Sequence, residues 1–404
     1  MAPPLSTDLL TTAEGLNAFI TVIARPGAGG RGPLSGVLVG VKDLIETAGI
    51  RTTAGSRILA TYVPRRDAAV VRALKRAGAV MAGKTNTHEF AYGTTNDNPH
   101  YGATRNPWNP SLSTGGSSGG SAALVGAGAL SLALGTDTAG SVRIPAALCG
   151  AVGLKPTTGT VSTRGVIPLS PTLDCVGPIA DSVAMAARAL EVLTGRSLAR
   201  APGVRGLRIG VAEAFVFAGV HAEVERRVRE ALAALERLGC KLETVTIPEL
   251  ALCTETGVTI TRAEAATWHR HWFPARAADY GADVRAKLEA GTRVTAKEYL
   301  TARETQVRIA RALRRVLREV DLLAGPTVPV PAFPNANAPL AETYRLTYPF
   351  SIGLLPAITV PCGFTSAGLP VGLQLAGPPR SEARILAAAA AYEADRGPLP
   401  RPSP

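Results

Sequence analysis

A chain of 404 residues that is 46% hydrophobic and 18% charged can bury a sizeable core, which excludes a disordered or fibrous protein. Its formal charge of +12 raises nucleic acid or an acidic substrate as partners, but the charge sits on arginines spread through helical segments such as 226–229 and 308–318. With no basic–aromatic stripe these read as solvated helix faces, and no nucleic-acid partner is expected.

In chain order, MAPPLSTDLL lacks the basic and continuous apolar regions of a signal peptide. No uncharged run is long and lipid-like enough to span a membrane, so a cytoplasmic protein with no membrane partner is expected. The first thirty residues are rich in Pro, Gly and Thr around a short helical piece, Ala13–Ile23, and read as an N-terminal arm. Gly36–Val41 (GVLVGV) is a buried strand closed by Lys42 and Asp43, an unusual place for a lysine. Asp67–Gly78 has helical period and ends on a C-cap glycine. After a short strand, Ala79–Ala82, a turn-rich loop carries Lys84, His88 and Glu89; the last two read as structural, since nothing nearby supplies a nucleophile.

The stretch Gly115–Pro145, GGSSGGSAALVGAGALSLALGTDTAGSVRIP, is the frame for a site. Two serine–glycine clusters flank an uncharged segment suited to a packed helix and a short strand. Glycines let backbone approach a ligand closely, and a flexible linker would not border core sequence in this way. Beyond it, Ala147–Lys155 leads into a glycine- and proline-rich region through Pro178. Helices at Asp181–Thr194 and Ala222–Leu238 alternate with strands at Leu207–Ala212 and Lys241–Ile247, which implies a parallel or mixed sheet covered by helices. Ala263–Arg318 is almost all helical and reads as an insertion or cap. Asp321–Pro331 returns to strand, Ala332–Tyr344 is a loop, Ala357–Pro361 and Val371–Leu375 are strands, and Glu382–Glu393 is the last helix.

Five scattered cysteines without a CxxC pair, and five histidines without HExxH, argue against disulfides and against a metal site. A serine nucleophile needs a proton acceptor and donors for an oxyanion. There is no GxSxG elbow and no histidine-bearing motif for a Ser-His-Asp set. A lysine can act as base when burial lowers its pKa; Lys42 is best placed and Lys84 is the rival. Backbone N–H groups of Thr138–Ser141, after a glycine-rich turn, suit an oxyanion hole.

These residues resemble the signature of the amidase signature family. GGSSGGSAA, GTDTAGS and VRIPAALCGAVGLKPT carry the resemblance, and GVLVGVKDLIETAG, GAVMAGKTNTHEFAYG, YGATRNPWNP, TLDCVGPIA, LPAITVPCGF and LPVGLQLAG extend it in family order. It implies one α/β/α domain over residues 1–404, a mixed central sheet between helices. The core would span 30–181 and 321–400, with a helical insertion at 182–320. It implies a triad of Lys42, bridging Ser117 behind a cis peptide bond, and nucleophile Ser141. The backbone of Thr138, Ala139, Gly140 and Ser141 would form the oxyanion hole, and Ser118, Arg143 and Asp174 would support the loops. Hydrolysis of a small-molecule amide without cofactor or metal follows.

Two departures matter. Ala139 stands where the family commonly has Gly. Relatives that act as the glutamine-hydrolysing A subunit of tRNA-dependent amidotransferases usually carry an Asp seven residues before the Asn of their NLAG-LP block; the corresponding position is Tyr344. A freestanding amidase is therefore expected; its rivals are a non-catalytic basic binding protein and that amidotransferase component. Gly116, Trp268, Tyr344, Tyr348 and Phe350, with Trp272 and Phe273, are expected around the substrate pocket, favouring an aryl or apolar group. A homodimer is the expected assembly.

Overall fold

The uncharged runs of the sequence become the strands of one mixed sheet. The computed structural model describes residues 5–23, 27, 29–198 and 203–402; residues 1–4, 24–26 and 28 of the expected N-terminal arm lie outside the described residues. In chain order the strands are β1 (Phe19–Val22), β2 (Leu38–Lys42), β3 (Val80–Thr85), β4 (Leu132–Asp137), β5 (Val152–Lys155), β6 (Cys175–Ala180), β7 (Arg208–Val211), β8 (Lys241–Thr244), β9 (Leu322–Pro326), β10 (Ala357–Phe364) and β11 (Pro370–Ala376). They are ordered β1-β3-β2-β4-β6-β5-β10-β11-β9-β7-β8. The β3-β2-β4 and β9-β7-β8 groups are parallel, and the strands between them pair antiparallel.

Helices cover both faces. They are α1 (Thr7–Gly15), α2 (Ala69–Arg76), α3 (Gly119–Gly126), α4 (Arg143–Cys149), α5 (Val183–Thr194), α6 (Glu213–Val216), α7 (Ala222–Arg237), α8 (Cys253–His269), α9 (Ala282–Thr292), α10 (Ala296–Glu319), α11 (Leu340–Thr343), α12 (Tyr348–Ile352) and α13 (Glu382–Arg396). Every residue of β4 is buried, as two-sided cover requires. Side chains alternate across it: Leu132 and Leu134 join the core under α2, α5, α7 and α13, while Ala133 joins the one under α1, α3 and α4. In α7 the spacing Val224, Val228, Ala231, Leu232, Leu235 puts one apolar stripe on the sheet. Each such buried valine or leucine contributes roughly 1.5–3 kcal/mol. Among the described residues no helix is long and apolar enough to cross a membrane.

The structure departs from the sequence expectation at three places. Ala13–Ile23 is not one helix: α1, capped by Ser6, ends at Gly15, and Asn17 turns the chain at φ 50° into β1. The Phe-Ile-Thr-Val run gains more by pairing with the edge of β3 than by extending a helix. The segment 182–320 is not a helical insertion beside the sheet: the strands expected at 207–212 and 241–247 form as β7 and β8 and extend it, with β7 pairing with β9 from the later core. The helical cap is α8 to α10, with α10 begun by a Thr295–Glu298 capping box. The expected loop at 332–344 ends in the short helix α11.

Candidate active site

Because β2 and β4 are parallel, their C-terminal ends meet at one edge of the sheet, where loops gather. Lys42 is the last residue of β2 and fully buried; its Nζ donates to Ser117 Oγ at 2.7 Å and to Thr136 Oγ1 at 2.8 Å. Both acceptors are hydroxyls. Burial pushes the Lys42 ammonium down from 10.5 to about 7, against the opposing charges of Asp174 and Asp137.

Ser117 lies in the loop before α3, and the Gly116–Ser117 peptide is cis. Thr87 Oγ1 and the His88 N–H donate to the Ser117 carbonyl at 2.8 and 3.2 Å. Ser118 ties this loop to its neighbours: its N–H donates to the Ser141 carbonyl, and its hydroxyl exchanges hydrogen bonds with the Thr136 backbone. The close approach depends on Gly120, where a Cβ would stand 2.5 Å from the Ala18 carbonyl and 2.6 Å from the Asn86 nitrogen.

The second loop runs from Asp137 at the end of β4 to Ser141 before α4. Asp137 and Arg143 form a buried pair, with Arg143 Nε and Nη2 each donating to one carboxylate oxygen at 3.0 Å. Arg143 also donates to the Thr347 carbonyl, Gln374 Oε1 and Ser351 Oγ, so its planar fork clamps the loop to α12 and β11. Burial is the largest single influence and would raise Asp137, but the Arg143 charge and hydrogen bonds, the Lys155 charge and the Val142 N–H together outweigh it and hold the carboxyl below its usual range. Asp174 accepts from Thr138 Oγ1 and from the N–H groups of Leu169 and Ser170. Its burial still pushes it up to about 7.

One expected donor is already committed. The Gly140 N–H donates to Asp137 Oδ1 at 2.8 Å, because the left-handed turn at Gly140 (φ +132°) folds the loop back on that carboxylate. The N–H groups of Thr138, Ala139 and Ser141 have no partner among the described residues, leaving three donors where four were expected. Lys84, the rival base, is buried beside Asp43 at 3.4 Å and donates to the Ile45 carbonyl and Thr52 Oγ1, away from both serines. His88 pairs with Asp283, and Glu89 accepts from Ser56, His100 and the Gly281 N–H, fixing their loop. All five cysteines are free and buried, and burial raises the Cys149 and Cys175 thiols.

Ser141 opens on a cavity of about 170 Å³ whose wall includes Thr138, Ala139, Tyr344 and Tyr348. Trp268, Trp272 and Phe273 are elsewhere: they pack around Phe90, His269 and Tyr280, with the Phe90 and Trp268 rings 6.0 Å apart. A buried turn at Phe90 and Ala91 offers them an apolar site that solvent does not. Phe350 faces a separate apolar pocket with Phe215 and Leu313, and Gly116 packs on the Asn96 backbone. The cavity wall instead carries Tyr92, Thr94, Arg262 and Lys287, which sequence reasoning did not single out. Asp137 was also missed, although an acid inside GTDTAGS six residues before Arg143 was a usable signal. Among the described residues no cluster of His, Cys, Asp or Glu is placed to hold a metal.

The fold and its loops define a hydrolase of amide C–N bonds. The family profile described as Amidase matches residues 23–386, and the chain belongs to the amidase signature family. It is 41% identical over 415 residues to the A subunit of glutamyl-tRNA(Gln) amidotransferase from Myxococcus xanthus, covering 92% of this chain and 85% of that one. The crystal structure of the corresponding A subunit from Thermotoga maritima superposes with a TM-score of 0.87 at 36% identity, covering 98% of this chain and 94% of that chain. A native peptide amidase from Stenotrophomonas maltophilia gives a TM-score of 0.80 at 31% identity, covering 99% and 89%.

Proposed function

We propose that Ser141 attacks the carbonyl carbon of a carboxylic amide while its proton passes to Ser117 and the Ser117 proton passes to neutral Lys42. The C–O bond forms as the carbonyl π pair moves onto oxygen, where the N–H groups of Thr138, Ala139 and Ser141 receive it. When the pair returns, the C–N bond breaks and the nitrogen leaves as ammonia or amine with the proton handed back through Ser117. Water, deprotonated along the same relay, then releases the carboxylic acid and frees Ser141. The cycle draws only on side chains and backbone amides. The observation that carries it is the hydrogen bond from fully buried Lys42 to Ser117 Oγ at 2.7 Å. Intact mass and peptide mapping after fluorophosphonate treatment test it. A single adduct on Ser141, abolished by Ser141→Ala, is expected; an adduct elsewhere, or none on the folded protein, overturns it.

Similarity supports a finer reading better than the freestanding amidase expected from sequence. Relatives at 41% and 38% identity, over 92% and 97% of this chain, are A subunits of glutamyl-tRNA(Gln) amidotransferase. On that reading glutamine is the amide donor, and partner subunits and a tRNA enter, against the expectation of no nucleic acid. Glutaminase activity that appears only with co-expressed partner subunits would support it. A specific observation favours the freestanding reading: the cavity wall holds Arg262 and Lys287 and no carboxylate for an α-ammonium group.

A further inference from the structure

The charge on the cavity wall is unbalanced. Lys287 has a partner in Asp283 at 3.2 Å and donates to the Tyr92 carbonyl. Arg262, an exposed residue of α8 that reaches the rim of the cavity, has neither an ion pair nor a hydrogen bond from its guanidinium among the described residues. It stands among three tyrosines: burial raises the hydroxyls of Tyr92, Tyr344 and Tyr348, and in each the Arg262 charge works the other way. A second observation is independent of charge. Tyr92 Oη and Thr94 Oγ1, on side chains at least nine-tenths buried in the same wall, lack any hydrogen-bond partner among the described residues. Buried polar atoms are rarely left so unless a ligand completes them.

We propose that the acyl group of the substrate carries a carboxylate, which Arg262 binds, and no ammonium group, so that the preferred substrates are monoamides of short dicarboxylic acids. This rests on the amide-hydrolase reading and deepens it. A guanidinium fork matches a carboxylate in both geometry and charge. The hydroxyls of Tyr92 and Thr94 donate to the same polar end or to the amide. An α-ammonium group would enter a wall that presents the unpaired Arg262 and no free acid, since Asp283 is engaged by Lys287 and His88, and that mismatch selects against it. The signal is invisible in sequence, because Arg262 meets Tyr92 and Tyr344 only through the docking of α8 over the loops.

Calorimetric titration of the full chain carrying Ser141→Ala with glutaramate, pentanamide and L-glutamine tests the inference, since pentanamide lacks the carboxylate, glutamine adds the ammonium, and the variant turns none of them over. Glutaramate is expected to bind at least about tenfold tighter than pentanamide and than glutamine, as a charge-assisted contact provides. Adding Arg262→Leu should bring the preference over pentanamide to within about twofold, and Arg262→Lys should recover part of it. Equal binding of glutaramate and pentanamide, or a preference that survives Arg262→Leu, overturns the inference. Glutamine binding as tightly as glutaramate overturns its second half. Fluorophosphonate labelling of Ser141 in the unaltered protein separates the two failures. An unlabelled protein defeats the amide-hydrolase reading, whereas a labelled protein whose Ser141→Ala form shows no glutaramate preference defeats only this one.

Discussion

Labelling of Ser141 by a fluorophosphonate should depend on pH through Lys42. An ordinary lysine at 10.5 would be neutral in about 0.03% of molecules at pH 7, whereas a group at about 7 is neutral in about half. The downward shift comes from burial, because the Asp174 and Asp137 charges act in the opposite direction. The second-order rate of inactivation should therefore plateau above pH 8. It should halve near 7 and fall tenfold per unit below, to about 1% of the plateau at pH 5. Lys42→Met should lower the plateau by about 10²–10⁴ and flatten the profile. A midpoint above 9, or a Lys42→Met variant that keeps the original profile, would refute the assignment of the base.

The same shift predicts a stability effect. Between pH 7 and 10.5 the unfolded lysine binds the proton that folded Lys42 does not, so this term raises stability with pH across that window. Urea unfolding should show the rise in the unaltered protein relative to Lys42→Met, and parallel curves would contradict it. Asp137→Asn weakens the pair that clamps the nucleophile loop, and removing a partner from a buried pair costs about 3–5 kcal/mol; denaturant midpoints should fall accordingly. Trp268→Leu should lose about 2–4 kcal/mol from the aromatic cluster with no change in the Ser141 labelling rate, and a changed rate would return Trp268 to the cavity wall. Thr295→Ala removes the hydroxyl that accepts from the Glu298 N–H, leaves the Glu298 carboxylate on the backbone N–H at 295, and should cost about 1 kcal/mol in thermal unfolding.

Much of this protein is written locally. The alternation of apolar runs with amphipathic helices fixed a mixed sheet covered on both faces, and α7 and β4 fell where periodicity and the absence of charge place them. The lysine at the end of a buried strand and the two serine–glycine clusters are local patterns, whereas the roles given to Ser117 and Ser141 rested on the resemblance to the amidase signature family. Boundaries that depend on pairing partners were not legible. The run Phe19–Val22 becomes a strand because an edge of β3 is available, and the expected strands β7 and β8 belong to the one sheet rather than to an insertion because β9 lies beside β7. The lining of the cavity is the clearest case. Tyr344 and Tyr348 line it as expected, yet Trp268 and Phe350 found apolar pockets of their own, and the rest of the wall includes Tyr92, Thr94, Arg262 and Lys287. These come from separate segments, so their shared chemistry exists only once α8 and α9 dock over the loops. Even within the signature, fold geometry set the donor count: the turn at Gly140 commits its N–H to Asp137, which no spacing of residues could announce.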